Sequence, residues 1–279
     1  MSDPVTDASI EVRGLHKRYG VDPVLRGIDF EVPPGCVFGL IGPNGAGKST
    51  TVKILCGMLE FDSGEVRVAG LDVRTEAIGV KRRIGYVPES AALYETLKAS
   101  EHLLLVGRMQ GLEDDLIRQR SSALFDAFEL RARLHSRIGS LSKGMRQKLM
   151  FAAALLHDPD VIFLDEPLSG LDVASTALIK ELLAELAGAG KTIFYCSHIM
   201  DVVERVCDRI AIVDDGRIIA SGTFDELRAE SEGGGTLERV FMSLTQGGDA
   251  HERVRDILSA IGCGTAAADS PGGGELVSE

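Results

Sequence analysis

This sequence has no long apolar run and fewer basic than acidic residues. No stretch approaches the roughly 18 apolar residues needed to cross a bilayer, and residues 1–7 are acidic, without the basic-then-apolar order of a signal peptide. We therefore expect any membrane role to come through a partner. The 30 Lys and Arg residues are outnumbered by 42 Asp and Glu residues, which gives a net charge of −12. This charge disfavours a broad phosphate-backbone footprint, so no nucleic-acid partner is expected.

The cysteines form no pattern that indicates a disulfide framework or a metal site. None has C-x-x-C spacing, and their number is odd. They are Cys36, Cys56, Cys196, Cys207 and Cys263. Buried thiols in a reducing cytoplasm are the prediction. The sequence also lacks internal repeats, and its 279 residues, 44% apolar and 26% charged, fit one large domain or a domain with a small appendage.

The most informative stretch, residues 42–50, reads GPNGAGKST. It follows an apolar run at 37–41, predicted as a buried strand, and precedes helical spacing at 51–56. The pattern G-x-x-x-x-G-K-S between a strand and a helix predicts a phosphate-binding loop rather than a glycine-rich turn with a chance lysine. Glycines let successive N–H groups face one anion, Lys48 supplies a charge for the β- and γ-phosphates, and Ser49 offers a hydroxyl to Mg²⁺. The predicted nucleotide-binding residues are Gly42, Pro43, Asn44, Gly45, Ala46, Gly47, Lys48, Ser49 and Thr50.

A second motif places two carboxylates at the end of another predicted buried strand, at 161–164. Adjacent carboxylates are costly in such a position unless they hold something, and ligands of open α/β sheets bind at the carboxyl ends of strands. Asp165 is therefore predicted to hold Mg²⁺ through water, and Glu166 to act as the general base that polarises the attacking water. The alternative is a solvated acidic turn.

The remaining chain alternates strands and helices around a helical stretch. Strands are predicted at 10–12, 28–32, 65–70, 84–88, 192–196, 210–213 and 217–220, and helices at 100–109, 114–128, 144–157, 176–186 and 199–207. The fold class is α/β, mostly parallel, with antiparallel strands at the amino end and a helical insertion at about 96–156. Glycines at 233–235 predict a linker, and residues 244–279 a small or flexible tail.

Between the two motifs, residues 141–148 read LSKGMRQK. This segment resembles the signature sequence of ATP-binding cassette (ABC) proteins, although the family has Gly at the position of Lys143 and Gln at that of Met145. Ser142 also fits the cap of a helix that begins near Gly144, which leaves N–H groups to face an anion. A plain capped core helix is the alternative for this segment alone.

Further matches follow in the family's order. Ser169-Gly170-Leu171-Asp172 resembles the D-loop, His198 the switch histidine that contacts the γ-phosphate, and Tyr19 the aromatic residue that stacks on adenine. The resemblance covers residues 9–243, the expected cassette, and implies a P-loop NTPase core of the ABC ATPase type. It also assigns Ser142, Gly144 and Asp172 to nucleotide binding.

One departure concerns the residue after Tyr-Val-Pro, where the family has glutamine and this chain has Glu89. A carboxylate there can ligate Mg²⁺, or it can turn outward as a solvated loop residue. Three features together resemble the ABC-2 type exporter branch, which includes daunorubicin-type efflux systems. They are Glu89, the Ser-Lys-Gly-Met form of the signature and the segment 237–245.

The resemblance implies an ATP-binding and ATP-hydrolysing transporter subunit. Ser142 and Gly144 of one copy would close over the γ-phosphate held by Lys48 of another, so a head-to-tail homodimer with ATP and Mg²⁺ is expected. The expected partner is a separate transmembrane permease, with the chain on the cytoplasmic face of the membrane. A soluble ABC ATPase acting on a macromolecule in translation, DNA repair or cofactor assembly is the alternative. A purely regulatory nucleotide-binding protein is disfavoured because Glu166 and His198 are both present.

Overall fold

Two sheets organise the chain in the computed structural model, which describes residues 9–89, 93–168, 170–230, 235–245 and 258–260. The strands are β1 (Ile10–Tyr19), β2 (Asp22–Val32), β3 (Val37–Ile41), β4 (Ser63–Val68), β5 (Leu71–Asp72), β6 (Ile84–Val87), β7 (Val161–Asp165), β8 (Thr192–Cys196), β9 (Arg209–Asp214) and β10 (Arg217–Gly222). One sheet is four-stranded and antiparallel, in the order β2-β1-β4-β5, and the other is six-stranded, in the order β10-β9-β3-β8-β7-β6.

The helices connect the strands of the larger sheet and fill the long insertion. They are α1 (Lys48–Leu55), α2 (Ala77–Arg83), α3 (Ala99–Met109), α4 (Asp114–Ala127), α5 (Lys143–Leu155), α6 (Val173–Gly188), α7 (Met200–Val206), α8 (Phe224–Glu230) and α9 (Leu237–Leu244). The helices predicted from spacing are confirmed within a few residues, whereas α2, α8 and α9 were not predicted. Over the described ranges, none of the helices has the length and apolar character that a membrane span requires.

The larger sheet is parallel except at one edge, as the buried apolar runs predicted. β3 lies at its centre and pairs in parallel with β8 and β9, while β6, β7 and β8 continue the parallel ladder. All five residues of β3, β7 and β8 are buried, which is why these strands read as continuous apolar runs. The carboxyl ends of the parallel strands therefore meet at one edge, where the two nucleotide motifs lie.

The antiparallel sheet is more extensive than predicted. β1 continues to Tyr19, seven residues beyond the predicted strand end, because a register shift between Val12 and Leu15 resets which residues face inward. Gly14 lies within this bulge at φ 54°, a left-handed conformation that glycine adopts readily. β1 therefore continues beyond the bulge, but the bulge interrupts the alternation of apolar and polar residues from which the length of a strand is predicted.

Aromatic side chains join the two sheets. Phe30 of β2 stacks on Phe38 of β3 with 5.5 Å between ring centroids, and Phe38 stacks on Phe194 of β8 at the same distance. Aromatic pairs at such distances add about 0.5–1.5 kcal/mol each to the burial of their area. The antiparallel sheet is thereby fixed above the strand that leads into the phosphate-binding loop.

The cysteines that the structure describes are free thiols. Cys36, Cys56 and Cys196 are buried, as predicted, and Cys207 is half-buried. Burial raises the pKa of Cys36 to about 11, so its thiol stays protonated at neutral pH. Cys263, most of the predicted linker and residues 246–257 and 261–279 of the predicted tail lie outside the described residues.

Candidate nucleotide site

The phosphate-binding loop is built by close packing against neighbouring strands. Gly47 caps α1 with φ 107°, and a Cβ at this position would lie 2.5 Å from Leu25 Cδ2. A Cβ at Gly42 would lie 2.2 Å from the carbonyl oxygen of Val213 in β9. Only glycine fits at Gly42 without moving backbone, so the start of the loop is determined by its contact with the sheet.

Lys48, at the first turn of α1, turns back over the loop. Its side chain is largely buried, and Nζ donates hydrogen bonds to the carbonyl oxygens of Gly42 at 2.7 Å and Pro43 at 3.0 Å. Thr51 anchors the helix start by donating from Oγ1 to the carbonyl of Gly47 at 3.0 Å. The ammonium group is thus held at the loop, beside the N-terminus of α1, where the helix dipole also favours an anion.

Asp165 ends β7 and is buried, with 6% of its surface exposed. Burial raises the pKa of its carboxyl group, and the negative charges of Glu166 and Glu89 act in the same direction, while a hydrogen bond from Ser49 and the charge of Lys48 oppose them. A hydroxyl and a carboxylate in contact are oxygen ligands of the type that Mg²⁺ takes together with substrate phosphates. Among the described residues there is no cluster of three or more His, Cys, Asp or Glu side chains suited to a protein-only metal site.

Glu166 is held in place by three hydrogen bonds. Its Oε1 accepts from the backbone N–H of His198 at 2.9 Å and from His198 Nδ1 at 2.7 Å, and its Oε2 accepts from Ser197 Oγ at 2.9 Å. Its backbone has φ 49°, a left-handed conformation that is strained for a residue with a side chain. Its side chain is 11% exposed, whereas that of His198 is 67% exposed. The result is a fixed carboxylate that lies beneath a solvent-accessible imidazole.

These groups line one cleft of about 680 Å³. Of the predicted site residues, the cleft contains Tyr19, Gly42, Pro43, Asn44, Gly45, Gly47, Lys48, Ser49, Thr50, Glu89, Asp165, Glu166 and His198. Tyr19 is half-exposed, with Lys17 Nζ 5.5 Å from its ring centroid, and Glu89 is exposed at the rim. A volume of this size and this mixture of polar and aromatic groups suit a nucleotide.

Three cleft residues were not predicted from the sequence: Val24, Met200 and Phe241. Phe241 belongs to α9, whose apolar residues follow a helical period that a search for amphipathic helices would have found. Ser197, which bonds Glu166, was also missed, although it directly precedes His198. Val24 and Met200 carry no local signal, because only the packing of β2 and α7 brings them to the cleft.

Four predicted residues do not line this cleft. Ala46 is buried inside the loop. Ser142 caps α5, accepting a hydrogen bond from the backbone N–H of Met145 at 3.2 Å, and Gly144 lies in the same first turn. Asp172 caps α6 through Ser175, and these hydrogen bonds lower the pKa of its carboxyl group. The signature segment and the cleft therefore lie on separate parts of one copy.

The first turns of α5 are nevertheless tied to the segment that follows β7. Gln147 of α5 is buried, and its Nε2 donates to the carbonyl oxygen of Pro167 at 2.9 Å. Lys143, which departs from the family pattern, lies over Gly170, where a Cβ would be 2.7 Å from its Cδ. Both contacts join the start of α5 to the segment that follows Glu166.

A glycine-rich loop between a central parallel strand and a helix, facing an Asp-Glu pair at the same sheet edge, defines a P-loop nucleoside triphosphatase. The sequence profile of the family described as ABC transporter matches residues 25–169. A daunorubicin resistance ATP-binding protein of Streptomyces coeruleorubidus is 40% identical over 88% of this chain and 78% of its own length. A Nod factor export ATP-binding protein of Ralstonia nicotianae is 41% identical over 78% of this chain and 68% of its own.

A solved structure described as the ATP-binding subunit of an ABC transporter agrees in fold. Its TM-score is 0.79 at 35% identity, and the match covers 84% of this chain and 98% of that one. The chain belongs to the ABC transporter family. It binds ATP and is an ATP hydrolase of that family, and the P-loop core, antiparallel β subdomain and helical insertion predicted from the sequence are confirmed.

Proposed function

We propose that this chain is the ATP-hydrolysing subunit that drives an exporter through separate transmembrane subunits. The observation that carries the proposal is the placement of Glu166. A carboxylate held by Ser197 and His198 lies in the same cleft as the ammonium group of Lys48. A base and a phosphate-binding loop in one cleft are what hydrolysis of a nucleoside triphosphate requires.

The cleft residues predicted from the sequence have roles that their positions support. Tyr19 stacks on the adenine, and the loop N–H groups with Lys48 hold the β- and γ-phosphates. Glu166 accepts a proton from the water whose oxygen attacks the γ-phosphorus, the bond to the β-γ bridging oxygen breaks, and ADP and inorganic phosphate result. His198 contacts the γ-phosphate from the exposed side of Glu166.

The oxygen donors at the end of β7 fit Mg²⁺. Ser49 and Asp165 would hold it, with Glu89 as a further ligand from the rim, because hard oxygen groups with substrate phosphates complete its coordination. When bound, Mg²⁺ neutralises the charge that develops on the phosphate oxygens. Ser49 and Asp165 make the floor of the cleft polar, and the carboxyl group of Asp165 is buried from bulk water.

The catalytic unit that we propose is a head-to-tail homodimer. Ser142 and Gly144 lie outside the cleft of their own chain, at the N-terminus of α5, where free N–H groups favour an anion. In a two-fold pair they would close over the γ-phosphate held by Lys48 of the second copy, with Asp172 beside the interface. ATP then favours the closed pair because it contacts both copies, and hydrolysis removes those contacts.

The relatives support the direction of transport and the kind of partner. One is named for daunorubicin resistance and the other for Nod factor export, and both are named as ATP-binding proteins rather than permeases. We infer a transmembrane permease as the partner of this chain, and a position on the cytoplasmic face of the membrane. The alternative, a soluble ABC ATPase acting on a macromolecule, finds no support in these names.

The test is the variant Glu166→Gln, with Glu181→Gln on the exposed face of α6 as the matched control. We expect turnover of Glu166→Gln to fall by roughly 10²–10⁴-fold, the usual contribution of a general base. ATP affinity should stay near that of the wild type, and light scattering with ATP should detect a dimer. Near-normal turnover would remove Glu166 from the role of base. A monomer with ATP, with a turnover per chain independent of dilution, would contradict the composite site.

A further inference from the structure

A second cleft, of about 500 Å³, opens on the antiparallel sheet and shares no lining residue with the nucleotide cleft. We name it the arginine pocket. Its polar lining consists of Arg18, Arg26, Arg217, His16, Asp62 and Ser63. The residues come from four strands and one connection, so the pocket is a product of the tertiary fold rather than of one basic segment of sequence.

Strand pairing brings these side chains together. His16 of β1 lies opposite Arg26 on β2 and opposite Ser63 on β4. The backbone N–H of Arg26 donates to the carbonyl of Gly216 at 2.8 Å, which brings the β9–β10 turn against β2 and places Arg217 at the pocket. The pocket therefore lies where the turn between β9 and β10 packs against the antiparallel sheet.

The charges in the arginine pocket are unbalanced. Arg26 is paired with Asp215 at 2.7 Å, a carboxylate that is itself 72% exposed. Within the described ranges, the guanidinium groups of Arg18 and Arg217 have neither an ion pair nor a side-chain hydrogen bond. The carboxylate of Asp62 already accepts the backbone N–H of Arg18 at 2.7 Å.

This imbalance stands out in a chain whose net charge is −12. Arginines on an ordinary solvated face are spread out or paired with carboxylates, whereas here three converge on one concave site that has a single carboxylate in its lining. Each guanidinium presents a planar fork of N–H donors, which matches phosphate oxygens and binds them by paired hydrogen bonds. Two unpaired forks beside the Arg26–Asp215 ion pair favour an anion with several oxygen acceptors that both forks can reach.

We propose that the arginine pocket binds a multiply charged phosphoryl anion, and that this site is separate from the ATP site. Arg18 and Arg217 supply the unpaired guanidinium forks, and Arg26 lies beside them in its ion pair with Asp215. A phosphate monoester or a pyrophosphate carries the required charge. The same chemistry is offered by a soluble phosphate compound and by a phospholipid headgroup with a terminal phosphate.

The experiment separates these two sources and excludes the phosphate-binding loop. The full chain carrying Lys48→Ala, which disables the loop, is titrated by calorimetry with inorganic pyrophosphate. The same protein is mixed with phosphatidylcholine vesicles that contain phosphatidic acid, and co-flotation is measured. Both arms are repeated with Arg18→Ala/Arg217→Ala in this background. The control is Arg82→Ala/Arg133→Ala, which removes two exposed arginines elsewhere and changes the net charge equally.

Loss of a charge-assisted hydrogen-bonding group should weaken binding by about tenfold or more for each guanidinium. We expect binding in one arm. In Arg18→Ala/Arg217→Ala the affinity should fall by about tenfold or more for each of the two guanidinium groups removed, and in the control it should not fall. Binding of pyrophosphate assigns a soluble ligand, and binding of the vesicles alone assigns the lipid headgroup. No binding in either arm, or an equal loss in both double variants while circular dichroism shows them folded, would overturn the proposal.

Discussion

The bond between Gln147 and Pro167 allows a quantitative test of how α5 is tied to the segment that follows β7. Gln147 is 3% exposed, and among the described residues its Nε2 is the donor found for the Pro167 carbonyl. Gln147→Leu keeps the volume and the apolar stem but leaves this carbonyl unsatisfied. A buried polar group left without its partner costs about 1–3 kcal/mol. For a chain of this size, each kcal/mol lowers Tm by roughly 2–4 °C.

The matched control is Gln110→Leu. Gln110 also donates from Nε2 to a backbone carbonyl, that of Lys81 at 3.3 Å, but this bond is accessible to solvent, and water can replace it. We expect urea unfolding to show a loss of about 1–3 kcal/mol for Gln147→Leu and less than about 0.5 kcal/mol for Gln110→Leu, as for most surface substitutions. Equal small losses in both variants would refute the view that burial makes the Gln147 bond important.

Two further predictions concern Ser142 and His157. Ser142→Ala should lower the free energy of unfolding by about 1 kcal/mol because α5 loses its cap. Ser142→Asp should keep this stability but lose ATPase activity, because its negative charge would repel the γ-phosphate held by the second copy. Retained activity in Ser142→Asp would count against the composite site. Burial lowers the pKa of His157 below its ordinary value of about 6.5. As the pH drops below about 6.5, the unfolded chain therefore binds a proton that the folded chain does not, and the free energy of unfolding decreases. Unfolding at pH 7.5 and 5.5 should show a smaller loss for His157→Gln than for wild type, and an equal loss would remove His157 as a contributor.

Sequence patterns predicted the parts of the molecule in which a local rule and the tertiary fold agree. β3, β7 and β8 are buried on both faces, so their apolar runs had the expected length and position. The strands predicted at 210–213 and 217–220 correspond to β9 and β10, which are joined by an Asp-Gly turn whose residues Asp215 and Gly216 both have positive φ. Lys48 and Asp165 could be assigned to one cleft because parallel strands end at one edge of the sheet.

Other features depend on contacts that a pattern does not contain. The length of β1 was missed because the bulge at Gly14 interrupts the alternation. α2 was missed because Val80 is its one buried residue, which leaves no apolar face to recognise. The arginine pocket joins Arg18 to Arg217 across two sheets, and nothing near either residue in the sequence indicates the other.

The central position of β3 has a consequence for how the protein is made. This strand pairs with β8 and β9, and the backbone N–H of Val37 donates to the Asp208 carboxylate, 171 positions further along the chain. During synthesis the phosphate-binding loop leaves the ribosome more than 140 residues before the strands that flank β3. We therefore expect a nascent chain to have no affinity for ATP until β9 has been synthesised, so that nucleotide stabilises only copies that already contain the strands on both sides of β3.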